Sequence, residues 1–156
     1  MIVRQAEVAD AAGMAAVLNQ IIAIGGTTAH QVAKAVPTVQ ADYVDGPTVL
    51  TSVVAVDQGR VIGWQSVGLW QGHADIGTFV QPGIQARRIG AALFARTCDL
   101  AKAKCVRTIH AATRADNAPG LAYYARIGFV DAGSEPDFAL ADGRVVGRVF
   151  RRFEVV

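Results

Sequence analysis

Between Thr48 and Val80 the chain reads as three strands in direct succession, and this feature most restricts the folds open to it. "TVLTSVVAV" (Thr48–Val56) is dense in β-branched residues, which suit a pleated, half-buried surface. "DQGR" then reads as a hairpin turn and "VIGWQSVGLW" (Val61–Trp70) as the returning strand. After "QGH", Ala74–Val80 supplies the third strand, which Pro82 and Gly83 end. Connections this short join only antiparallel neighbours. Downstream the pattern changes, and strands alternate with helical segments, as strand–helix–strand crossovers require.

The flanking segments fill in the rest. Ile2–Ala6 alternates weakly and reads as a first strand. Asp10 is placed to cap a helix in which Met14, Val17, Leu18, Ile21 and Ile22 recur at helical spacing. "IGGTTAH" (Ile24–His30) breaks that helix, and Thr38 is placed to cap a short one reaching Tyr43. A helix is predicted from Ile89 to about Lys104, then a strand over Val106–Thr113. "ADNAPG" opens a helix from about Asn117 to Ile127, with Pro119 tolerated in its first turn and Gly128 stopping it. Phe129–Ala132 and Val145–Val155 read as the last strands. The expectation is a mixed α+β fold in one domain spanning residues 1–156, without repeat or linker.

Totals narrow the function classes. A net charge of +2 over 156 residues gives no reason to expect nucleic acid or an anionic membrane as partner. No apolar run approaches the ~18 residues a membrane span needs. "MIVRQAEVAD" carries Glu and Asp and no apolar signal core, so a cytoplasmic location is expected. Cys98 and Cys105 read as reduced, small apolar residues. His30, His73 and His110 do not supply zinc-ligand spacing, so no metal is expected.

One helix start is unusual. The segment "GIQARRIGAALF" places Arg87 and Arg88 in a first turn that holds no acid and no capping residue. A helix N-terminus carries partial positive charge and unpaired N–H groups, which ordinarily recruit anions. Cations there suggest that the anion comes from a ligand, held by the N–H groups from Gln85 to Ala91, with Gly90 allowing close approach. The plainer explanation is two arginines extending into water. The glycines fit neither a dinucleotide fingerprint nor a P-loop.

A second motif follows about one strand later: "NAPGLAYYARIGF", Asn117–Phe129. Together with "QARRIG" (Gln85–Gly90) and the opening "VRQAEVADAAGMAAVLNQ", it resembles the GNAT superfamily of N-acetyltransferases over nearly the whole chain. Arg88 stands where the family's loop has its first glycine, so its side chain must point away from the phosphates. The resemblance implies a mostly antiparallel twisted sheet of about seven strands with about four helices, splayed between the two strands that bracket the cofactor. It implies acetyl-CoA as cosubstrate, with pantetheine along the strand ending in Phe79 and Val80. Pyrophosphate would lie over Gln85, Arg87, Arg88, Ile89, Gly90 and Ala91, and Asn117 and Tyr124 would also meet the cofactor.

The resemblance implies roles for other residues as well. Tyr124 is the candidate general acid for the departing thiolate, with Tyr123 as its adjacent rival and core packing as the alternative. Asp75 sits where phosphinothricin-type acetyltransferases carry a glutamate and is the candidate base. His73, on the same strand face by period two, would share that task or bond to Asp75. Thr27, Thr28 and His30 are candidates to contact the acceptor, and Trp64 either lines that pocket or packs as a buried hairpin aromatic. The activity implied is acetyl transfer to the primary amine of a small or amino-acid-like molecule by direct attack. A non-catalytic CoA-binding regulatory module and a protein N-terminal or lysine acetyltransferase are the alternatives. Dimers are common among similar proteins.

Overall fold

A computed structural model of the chain describes residues 1–84 and 86–156, the side chains of Ala86 and Arg87 excepted. The strands are β1 (Ile2–Gln5), β2 (Val49–Asp57), β3 (Arg60–Trp70), β4 (His73–Val80), β5 (Thr108–Arg114), β6 (Val130–Glu135) and β7 (Arg148–Glu154). The α-helices are α1 (Ala11–Ile24), α2 (Val36–Gln40), α3 (Ala86–Ala103) and α4 (Ala118–Arg126). The strands form one seven-stranded sheet in the order β1-β2-β3-β4-β5-β7-β6. Every neighbouring pair is antiparallel except β4–β5.

The meander forms as the sequence suggests. Both hairpins turn on a Gln-Gly pair with positive φ at each residue: 49° and 74° at Gln58–Gly59, 48° and 80° at Gln71–Gly72. Two consecutive left-handed residues make the turn whose twist matches that of the flanking strands. The second turn is therefore "QG" alone, and His73 belongs to β4.

The sheet is covered on both faces. Val54 and Trp64 pack with Met14 and Leu18 of α1 and Val39 of α2. Adjacent Val53 and Ala55 point the other way, onto Ile89 and Leu93 of α3. A third cluster joins Phe94 of α3, Tyr124 of α4 and Phe129 to Ile109 and Ala111 of β5. Two-sided burial explains why Thr51–Ala55 is buried without alternation.

Two expected helix starts differ. Asp10 lies in a short 3-10 turn, Val8–Asp10, ahead of α1. Its carboxylate accepts from the Glu7 N–H at 2.7 Å and from Arg4 at 2.7 and 3.0 Å, so it joins β1 to α1 instead of capping α1. Thr38 lies inside α2, because Pro37 fits the first turn and starts the helix earlier. A π-helical turn over Ala41–Asp45 follows and carries Tyr43.

Candidate active site

The parallel pair β4–β5 holds the site. Among the described residues its register is a single Cα pair, Asp75↔His110. Beyond that pair no β4–β5 pairing continues among the described residues, so the β5-facing edge of Gly77–Val80 has no strand partner there. Backbone N–H and C=O groups on an unpaired edge are a template for an extended ligand with amides of its own. A cavity of 1140 Å³ opens there, walled by β4 from Asp75 to Val80, by Ala112–Arg114 and by α4.

Tyr124 projects into this wall from α4 while its ring packs in the core. It is 7% exposed, with its ring 5.1 Å from that of Phe129 and its hydroxyl 2.9 Å from Thr78 Oγ1. Burial pushes its phenol well above the ordinary range, so it keeps its proton through any assay pH. Tyr123 is differently committed. Its hydroxyl donates to the Gly90 carbonyl at 2.8 Å and accepts from Gln65 Nε2 at 3.1 Å. Burial raises its phenol to about 12.

Asp75 lines the cavity. Burial pushes its carboxyl above the ordinary aspartate value, against the pull of His110, His73 and Arg148. A carboxylate of raised basicity at a cavity wall can accept an amine proton. His73 is exposed and stacks on His110 with ring centroids 4.5 Å apart; it lies outside the cavity lining. His73 is the first residue of β4, paired with Trp70 of β3.

The loop after α1 closes the opposite wall. Thr27 and Thr28 present carbonyls to Asn117 Nδ2 at 3.1 Å and Arg114 Nη1 at 2.9 Å. His30 Nε2 is 3.1 Å from the Tyr43 hydroxyl, and burial lowers the imidazole's pKa. All three loop residues line the cavity. Trp64 does not. It is fully buried, donates from Nε1 to the Met14 carbonyl at 3.0 Å and packs between Tyr43 and Phe79. An inward position midway along a two-sided sheet leaves it under α1, away from any ligand.

Asn117 also has partners of its own. Its Oδ1 accepts from the Gly120 N–H at 3.0 Å, capping α4, while its Nδ2 ties the loop. Asn117 also lines the cavity, and these two bonds fix its place in the wall. Phe79 and Val80 line the cavity as expected.

At α3, the first turn holds no acid, and Arg88 and Ala91 are exposed while Ile89 is buried in the core. Gln85 and the Arg87 side chain lie outside the described residues. Gly90 lines the cavity and also has a packing role. A Cβ built there would meet Tyr123 Cε1 at 2.5 Å, so the missing side chain makes room for that ring.

Sequence reasoning did not single out Gln65, Thr78, Arg114 or Tyr43. Gln65 and Thr78 face each other across the β3–β4 ladder and bond at 2.8 Å. Their signal was available: two polar residues inside apolar strands, which bury only with partners. Arg114 is 5% exposed and doubly bonded to Asp116 at 2.9 and 2.7 Å.

Solved structures share this fold. The yncA protein of Salmonella typhimurium, solved with its cofactor acetyl-CoA, superposes with a TM-score of 0.85 at 19% identity, covering 100% of this chain and 94% of that one. A GNAT superfamily phosphinothricin acetyltransferase from Sinorhizobium meliloti, in complex with acetyl-CoA, gives 0.81 at 18% identity, covering 99% and 88%. A ribosomal-protein-alanine N-acetyltransferase from Brucella melitensis gives 0.82 at 19%, covering 99% of each chain. No curated protein matches in sequence. The profile of the acetyltransferase (GNAT) family matches residues 27–129, a span from the loop after α1 to the end of the α4 motif. The chain belongs to this family of acetyltransferases, whose acyl donor is acetyl-CoA.

Proposed function

We propose that this protein transfers acetyl from acetyl-CoA to the primary amine of a small or amino-acid-like molecule by direct attack. One observation carries the reading: the unpaired β4 edge and the Tyr124 hydroxyl face the same cavity. The residues suit the donor. An open strand edge accepts pantetheine amides, and the acid-free first turn of α3 lies just beyond β4 to receive pyrophosphate.

In this reading the amine arrives as an ammonium ion and loses a proton to Asp75, directly or through water. Its lone pair forms the C–N bond at the thioester carbon, and a β4 N–H steadies the oxyanion. Collapse breaks the C–S bond, Tyr124 donates its hydroxyl proton to the departing sulfur, and the acylated nitrogen gives up its extra proton, which returns to the phenolate through water. A free thiol ionises near ~8.5, below any phenol. Burial in the same pocket raises the sulfur's basicity as well, which narrows that gap.

The test is incubation with acetyl-CoA and separate sets of small primary amines, amino acids and peptides, with products weighed by mass spectrometry. An acetylated small amine is expected. Acetylation of peptides alone would overturn the acceptor class, and saturable coenzyme binding with no acetylated product would show a regulatory module.

A further inference from the structure

We propose that Gln65 and Thr78 form a positioning relay that leaves the Tyr124 hydroxyl proton free for the leaving sulfur. The proposal rests on the acetyltransferase reading above, and it follows from tracing donors through a buried chain.

The trace starts at the Gly90 carbonyl, which can only accept. Tyr123 lies 2.8 Å away, so its single proton goes there. Its oxygen can then only accept from the Gln65 atom 3.1 Å distant, which must be the amide nitrogen. That fixes the amide: Gln65 Oε1 faces Thr97, whose hydroxyl donates to it at 2.7 Å. Gln65 and Thr97 are both fully buried, so no bulk water competes. The second Nε2 proton goes to Thr78 Oγ1 at 2.8 Å. Thr78 therefore receives a proton and has its own to give. The Tyr124 oxygen stands 2.9 Å away. With Thr78 donating, Tyr124 has its remaining lone pair and its own proton directed elsewhere, and the cavity is the space it faces.

With the alternative polarity, Tyr124 donating to Thr78, the threonine proton would have to turn to Tyr123, whose oxygen already accepts from Gln65 and whose own proton is held by the Gly90 carbonyl. A threonine that already accepts from an amide is also the stronger donor, because linked hydrogen bonds polarise one another. Tyr123 thus takes part at a distance. Its fixed orientation sets the Gln65 amide, which sets Thr78.

Removing the Thr78 hydroxyl should leave coenzyme binding intact and slow the step in which sulfur departs. Thr78→Val is expected to lower kcat at least about tenfold with little change in KM for acetyl-CoA, and Thr78→Ser to restore it. The distinguishing readout is leaving-group dependence. With an acetyl thioester of an aryl thiol, more acidic than the coenzyme's alkyl thiol, departure needs no proton and the Thr78→Val deficit should shrink. Gln65→Glu, which offers Thr78 an acceptor in place of a donor, should show the same signature; if that variant does not fold, the Thr78 pair decides. Parental kcat in Thr78→Val, or a deficit equal for both thioesters, would overturn the relay. Tyr124→Phe run alongside separates the two failures: parental turnover there would remove the acid itself, and a slow Tyr124→Phe beside a fast Thr78→Val would remove only the relay.

Discussion

Replacing Gly90 with alanine offers a sharp test of how α3 and α4 fit together. In an isolated helix the change would stabilise by about 1 kcal/mol, since glycine is the poorer helix former. Here the added Cβ would lie 2.5 Å from Tyr123 Cε1, with two further ring atoms at 3.2 and 3.3 Å. Carbon atoms rest at about 3.5–4.0 Å, so the ring must retreat by roughly 1 Å. Its tip is tied at 2.8 Å to the Gly90 carbonyl and at 3.1 Å to Gln65, and such a retreat stretches both bonds past useful length. Overpacking of this kind costs about 1–3 kcal/mol, and each lost hydrogen bond about 0.5–1.5 kcal/mol. Less the helix gain, the net loss is about 3 kcal/mol, or roughly 6–12 °C in Tm for a chain of this size. Thermal unfolding followed by circular dichroism reads it. Tyr123→Leu in the same background should recover part of the loss, with a coupling of about 1 kcal/mol or more in the double-mutant cycle. A Gly90→Ala protein as stable as its parent, or more so, would refute the packing argument.

Other perturbations address the chemistry. Because burial raises the Asp75 carboxyl, the acidic limb of kcat/KM should have its midpoint above the ordinary aspartate value, and Asp75→Asn should abolish that limb along with most activity. The stability effect has the opposite sense. A carboxyl whose folded pKa is raised favours the fold when protonated, so Asp75→Asn should gain stability relative to the parent as pH rises through that pKa. Neither tyrosine should lose its proton below about pH 11, since Tyr123 stands at about 12 and the more deeply buried Tyr124 higher still. Tyr124→Phe should slow turnover by roughly ten- to ten-thousand-fold, and a parental basic limb between pH 8 and 10 assigned to Tyr124 would contradict its raised pKa. Asn117→Ala should cost about 1 kcal/mol through the lost α4 cap, and hydrogen exchange should then rise in Gly25–His30, which loses its tether.

Much of this fold could be read from local pattern. The meander announced itself through β-branched runs and Gln-Gly turns, and the α4 segment through Asn117, Pro119 and Gly128. These signals are local, because turn conformation and helix capping are decided within a few residues. The packing partners that local pattern did not show share one cause: they stand across from the residue, far away in the chain. Trp64 alternates as a pocket residue would, yet α1 covers that point of the sheet. Gly90 resembled a ligand-binding glycine, and its packing partner is a ring 33 residues later in the chain. Asn117 was found where expected, with its amide already committed to α4 and to the loop. Gln65 and Thr78 acquire meaning only from the β3–β4 register, which aligns them with each other and with Tyr124.

A crystal structure of the protein with acetyl-CoA tests the central claim most directly. The pantetheine amides should pair with the free edge of Gly77–Val80, and the Tyr124 hydroxyl should lie within about 3.5–4 Å of the thioester sulfur. A coenzyme bound away from that edge, or a sulfur reached by some donor other than Tyr124, would contradict it.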